Sequence, residues 1–178
     1  MLFRSYGIPG YDAGILTEDK DLALFFEHTC SKLIIQSKER YKFVSNWILT
    51  EILKILSDRK IGIAQASMIA PEAIAEIVDL FADEKISSKI AKEVFAEYIS
   101  SGISPKEYVA QKGLMQISDH TEVERIVLLS LEGEEENIEK YRSGKNNLMG
   151  YFISKVMKAS GGKANPRMVN ELLTQHLQ

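Results

Sequence analysis

The sequence predicts an all-α protein of two small multihelical subdomains. Three observations carry this. Apolar residues recur at three- and four-residue steps through most of the chain, Gly and Pro fall between those stretches at helix stops and starts, and no segment alternates with period two for long enough to make a strand. At 178 residues and 45% hydrophobic composition the chain can bury a core in one domain or two.

The helices follow in order. Thr17 is placed to cap a helix whose Leu22, Phe25, Phe26, Thr29, Cys30 and Leu33 share one face. A second helix runs from about Glu39 to Asp58, with Val44, Trp47, Ile48, Ile52, Ile55 and Leu56 inward and Leu49 and Leu53 widening the stripe. Gly62 ends that region. Pro71 suits a first turn, where its missing N–H has no partner to lose, and Ile74, Ile77, Val78 and Phe81 form the inner face. Ser87 or Ser88 caps the next helix, which buries Ile90, Val94, Phe95 and Tyr98 and stops at Gly102. Ser104-Pro105 starts a short helix that Gly113 ends.

Ser118-Asp119 opens the second half, with Val123, Ile126, Val127 and Leu131 as its stripe and Gly133 as its break. An acidic helix leads from Glu134 to Tyr141. Gly144 separates it from a helix carrying Leu148, Phe152, Val156 and Met157. Ser160-Gly161-Gly162 is a stop and Asn165-Pro166 a start, N-cap then first helical residue. Val169, Leu172, Leu173 and Leu177 close the chain. The expected boundary lies near Leu114 to Ser118.

Several chemistries are excluded or weakened. Cys30 is the single cysteine, so no intrachain disulfide and no Cys-based zinc site can form, which fits a reducing, cytoplasmic setting. Its place on an apolar face reads as a small buried hydrophobe. His28, His120 and His176 stand apart without ligand spacing, so no metal site is expected. Gly144-Lys145 and Gly162-Lys163 lack the earlier glycine, the following Ser or Thr and the leading strand of a phosphate-binding loop; they read as helix stops. No apolar run reaches the ~18 residues of a membrane span. Met1 to Ser5 is too short for the apolar core of a signal peptide.

Charge is segregated. The chain carries a formal −3, yet Lys140 to Gln178 holds seven Lys and Arg against Glu171, while Asp119 to Glu139 holds eight acidic residues against Arg125. Separated positive charge suits a phosphate-rich partner. The candidate contacts are Arg142 and Lys145 around Gly144, Lys155 and Lys158 three apart on one helix, and Lys163 and Arg167 flanking the Asn165-Pro166 start. The rival reading pairs these same cations with the acidic helix from Glu132 to Glu139. Few aromatics interleave, so a shaped RNA or a protein fits better than a single-strand stacking platform.

The run Gly144-Lys145, then Leu148-Met149-Gly150-Tyr151-Phe152, then Val156 to Pro166, then Val169 to Leu173 resembles the C-terminal signature of the GatB/YqeY family. The stretches from Leu16 to Glu27, Asn46-Trp47, Ser87 to Phe95, Lys112 to Asp119 and Tyr6 to Ala13 resemble that family in the same order. The pattern departs at Ser154-Lys155, where the family commonly has Gly-Gln, and at Gly10, where an acidic residue is usual. The resemblance implies the C-terminal region of the GatB subunit of a tRNA-dependent amidotransferase. Residues 1–16 would be a linker from a catalytic body, 17–117 a helical domain and 118–178 a tail domain. The parent would be a carbon–nitrogen ligase converting Glu-tRNA(Gln) or Asp-tRNA(Asn) to Gln-tRNA(Gln) or Asn-tRNA(Asn), with glutamine as amido donor and the GatA and GatC subunits as partners. ATP and Mg would bind in the body; the present chain would carry no catalytic, cofactor or metal residue and would contact tRNA(Gln) or tRNA(Asn). A free-standing helical interaction module of the same family, without a tRNA role, remains the alternative.

Overall fold

The computed structural model describes residues 5–178. Met1 to Arg4, part of the expected linker and of the segment read as too short for a leader, lie outside the described residues. Among the described residues every regular element is a helix, with one isolated parallel β-bridge between Ile117 and Ala164. The α-helices are α1 (Gly10–Glu18), α2 (Lys20–Lys32), α3 (Lys38–Trp47), α4 (Leu53–Arg59), α5 (Pro71–Ala82), α6 (Ser88–Ser101), α7 (Pro105–Lys112), α8 (His120–Leu131), α9 (Glu135–Arg142), α10 (Leu148–Ala159) and α11 (Pro166–Leu177).

Contacts divide the chain into two compact units. One holds the residues up to Asp83 with Lys92–Lys112, and the other holds Glu84–Ala91 with Gly113–Gln178. These differ from the expected 17–117 and 118–178 chiefly in the segment Glu84–Ala91.

In the first unit α5 packs on α2, α3 and α7. Its buried Ile74, Ile77 and Val78 share the interior with Leu22, Phe25, Phe26 and Cys30 of α2 and Val44 of α3. Burial pushes the Cys30 thiol up to about 12, with Glu27 adding to the shift, so it stays protonated and unreactive at neutral pH. Arg40 and Asp79 are 7% and 2% exposed and form an ion pair; Arg40 also reaches Asp83, and Asp79 accepts the Ile34 N–H at 3.0 Å.

Two expectations need correction here. Thr17 does not cap α2. Its hydroxyl donates back to the Ala13 carbonyl at 2.7 Å, and Asp19 accepts from the N–H groups of Asp21 and Leu22 instead. Residues 10–16, expected within the linker, belong to α1, which buries Ala13 and Leu16.

The long helix expected from Glu39 to Asp58 is interrupted by a π-helical turn, Ile48–Ile52, where Leu53 N–H reaches back to the Ile48 carbonyl. The cause lies in the buried set Val44, Ile48, Ile52 and Leu56. A four-residue step overshoots a full α-helical turn by about 40°. A wider turn takes up that drift and keeps all four residues on one face.

The second unit is built around α8, α10 and α11, each packed on the other two. Val123, Ile126, Val127, Phe152, Val156, Val169, Leu172, Leu173 and Leu177 form its core. The Gly-Lys pairs are helix ends. After α10 the Gly161 N–H bonds the Lys158 carbonyl at 3.1 Å and the Gly162 N–H bonds the Met157 carbonyl at 2.7 Å, with both glycines at positive φ. After α9 the same double closure uses Gly144 N–H to Tyr141 and Lys145 N–H to Lys140. This is the glycine-dependent stop in which a left-handed residue lets the last carbonyls find donors.

Candidate nucleic-acid interface

The candidate cations sit on the α9–α10–α11 part of the second unit. Helix α10 has 12 residues, so its ends lie about 18 Å apart at the helical rise. Lys145 precedes it; Lys158 lies in its last turn, with Lys163 and Arg167 just beyond. The six expected contacts therefore separate: Arg142 and Lys145 belong to one end, Lys158, Lys163 and Arg167 to the other, and Lys155 lies one turn inside.

Their partners separate them further. Lys155 Nζ donates to Glu134 Oε1 at 2.6 Å. Arg142 Nε donates to the Leu177 carbonyl at 3.1 Å, closing the C-terminus of α11. Arg167 pairs with Glu171 one turn on at 3.2 Å, and both side chains are largely exposed. Such an exposed pair holds its cation weakly, with under about 1 kcal/mol to give up. Lys145, Lys158 and Lys163 have no carboxylate within 4.0 Å among the described residues. The rival reading thus holds at Lys155, which the acidic segment engages, and not at Lys158 or Lys163.

Glu134 is the hub on the acidic side. It accepts from Lys155 Nζ, from Asn137 Nδ2 at 2.6 Å and from Tyr151 OH at 2.9 Å, and its side chain is only 12% exposed. These donors, Lys155 first, hold its carboxyl down at about 2, well below the ordinary 4.5. The folded state keeps this group ionised where an unfolded chain takes up a proton. The stabilisation is therefore complete above about pH 4.5 and is lost as pH falls to about 2. Thermal unfolding of wild type and Glu134→Gln should show wild type more stable at pH 7 and the difference closing through that window. A constant difference at all pH values would contradict the ionised hub.

The loop between α10 and α11 is fixed by backbone bonds. Ile117 N–H donates to the Lys163 carbonyl at 2.7 Å, and Asn165 N–H donates to the Ile117 carbonyl at 3.2 Å. The Asn165 side chain accepts from Arg167 N–H and Met168 N–H, capping α11. Lys163 is thus presented from a clamped backbone, and Lys158 from a helix closed two residues later. A fixed backbone lowers the ordering cost of a phosphate contact.

A pocket of ≈ 450 Å³ opens at this end of the unit, with Lys89, Met157, Lys158, Gly162 and Pro166 among its lining residues. Among the described residues no three His, Cys, Asp or Glu side chains gather into a set that could hold a metal ion. No helix among them is long and apolar enough to cross a membrane.

The GatB domain family model matches residues 25–177. The chain belongs to this family. It is 46% identical over 168 residues to the GatB subunit of the aspartyl/glutamyl-tRNA(Asn/Gln) amidotransferase of Persephonella marina, covering 94% of this chain and 34% of that protein. It is 40% identical over 175 residues to the protein of the same name from Thermotoga maritima, covering 98% and 35%. It is 40% identical over 173 residues to that of Rippkaea orientalis, covering 97% and 34%. The chain thus spans about a third of the length of these relatives. The GatB-domain match includes every candidate cation from Arg142 to Arg167.

Proposed function

We propose that this GatB-family chain is the tRNA-binding C-terminal part of an amidotransferase GatB subunit. In this reading it holds the tRNA body while the rest of the enzyme converts Glu-tRNA(Gln) or Asp-tRNA(Asn) to Gln-tRNA(Gln) or Asn-tRNA(Asn). The carrying observation is the pair Lys158 and Lys163, without an ion-pair partner among the described residues, at one end of a charge-segregated unit whose nearby Lys155 is engaged by Glu134. A cation already matched by a carboxylate gains little from a phosphate, whereas an unmatched one exchanges only water and counterions for it. The names of the relatives, tRNA amidotransferase subunits, supply the class of RNA.

ATP and Mg belong, in the same reading, to the catalytic body of the parent subunit. The GatA and GatC subunits are the protein partners and the cytoplasm is the site of action. The role of this chain is positional: phosphate contacts fix register and orientation without reading bases.

The test is titration of the 178-residue chain with tRNA(Gln) and tRNA(Asn) transcripts at low and moderate salt. Lys158→Ala and Lys163→Ala should each weaken binding about three- to fivefold, in line with loss of one exposed ion contact. Absence of binding at low salt would refute the reading.

A further inference from the structure

We propose that Lys89 joins Lys158 and Lys163 in one phosphate-binding rim, so that a backbone phosphate is gripped from two stretches of chain about seventy residues apart. This rests on the reading of the tail as an RNA-binding surface, and it adds a residue that lies outside the basic C-terminal run.

Gly162 lies at the centre of this arrangement. It is buried at φ +81, and a Cβ built on it would lie 3.7 Å from Lys89 Cδ. The aliphatic stem of Lys89 therefore lies over this glycine, the residue before Lys163. Ser87 fixes the arrangement. Its hydroxyl accepts from Ile90 N–H at 3.3 Å, capping α6, and donates to the Gly162 carbonyl at 3.2 Å. The Gln116 N–H donates to the Lys85 carbonyl at 2.6 Å and further ties the segment into the second unit.

Lys89 and Lys158 then line the same pocket, with Ser88, Ser154, Met157 and Gly162. No carboxylate is among its lining residues. Glu84, in the same segment, is engaged by Asn165 Nδ2 at 2.9 Å. Lys89, like Lys158 and Lys163, has no ion-pair partner within 4.0 Å among the described residues, whereas Arg125, Lys140, Lys155 and Arg167 of the same unit each have one. Lys89 and Lys158 are thus two unmatched cations in the lining of one concavity, and Lys163 follows its lining residue Gly162 in sequence. Lysine ammonium groups on flexible stems, with the Ser88 and Ser154 hydroxyls beside them, suit the non-bridging oxygens of a phosphodiester.

The experiment measures binding of the 178-residue chain to a tRNA(Gln) transcript across a salt series. Lys89→Ala should weaken binding about three- to fivefold and reduce the slope of log K against log salt by less than the roughly 0.7–0.9 of one fully released phosphate, while Lys89→Arg stays near wild type. Lys140→Ala removes a cation already paired with Glu136 and should change neither quantity. The double variant Lys89→Ala/Lys158→Ala should lose less than the sum of its parts, because both side chains serve one phosphate. Additive losses, or a Lys89→Ala effect no larger than that of Lys140→Ala, would overturn the rim. Weakening by Lys158→Ala and Lys163→Ala with Lys89→Ala at wild-type affinity would overturn the rim and leave the tRNA reading standing. No effect from any of the three would overturn both.

Discussion

Asp79→Ala should lower the stability of the first unit by about 3–5 kcal/mol, the cost of leaving a buried charge without its partner. Arg40 and Asp79 are nearly inaccessible. The substitution removes the main acceptor for Arg40 Nη1 and also orphans the Ile34 N–H. Asp83 alone would then face the guanidinium, from a side chain that is 29% exposed. The chain's one tryptophan, Trp47, lies in this unit edge-on to Phe95 at 5.7 Å, so its fluorescence can follow the transition. The midpoint should fall by about 10 °C or more. Replacing both partners, as Arg40→Met with Asp79→Leu, should cost far less than either single loss, since it removes the desolvated charges together. A mild Asp79→Ala phenotype would show that Asp83 or solvent can serve Arg40.

Phe152→Ala should cost the second unit about 3–5 kcal/mol, a large share of what so small a unit can hold. Phe152 is 1% exposed at the centre of the core formed by α8, α10 and α11. It also meets the edges of Tyr151 at 5.5 Å and Tyr141 at 6.4 Å, contacts that add to simple burial. Tyr151, itself exposed, in turn donates to Glu134, so one ring links Phe152 of the core to the acidic hub. No tryptophan lies in this unit, so amide exchange of Val156, Val169 and Leu173 is the suitable readout. Phe152→Leu, which keeps most of the volume, should lose less than half as much. Equal losses would mean that the rings rather than the volume carry the stability.

The parts of the fold legible in the sequence are those decided within one turn of chain. Asn165-Pro166 and Pro71 begin helices because a side-chain acceptor and a missing N–H act locally, and Gly161-Gly162 ends one because two neighbouring residues take positive φ. The stripes at Leu22 to Cys30 and Val169 to Leu177 follow from spacing alone. Thr17 was misleading because Asp19, two residues on, is the stronger acceptor for free N–H groups. Helix α1 was invisible because Gly10, Gly14 and exposed Tyr11 leave no apolar stripe. The π turn follows from four buried residues in four-residue steps, a signal present in the sequence.

Pairings across the chain were not legible. Arg40 meets Asp79 and Asp83 across some forty residues, and each alone looks like an ordinary solvated charge. For the site, the sequence marked the basic tail as a candidate without revealing that Glu134 engages Lys155, that Leu177 engages Arg142, or that Lys89 shares a pocket with Lys158. Only the packing of α10 against its neighbours sorts matched charge from unmatched.

The measurement that tests the central claim most directly is the salt dependence of tRNA binding by the double variant Lys158→Ala/Lys163→Ala, set beside Lys155→Ala. Loss of both cations should flatten the slope of log K against log salt by at least the roughly 0.7–0.9 of one phosphate contact. Lys155→Ala, which removes a charge already held by Glu134, should leave the slope at its wild-type value. An unchanged slope in the double variant, or an equal drop in Lys155→Ala, would contradict the account.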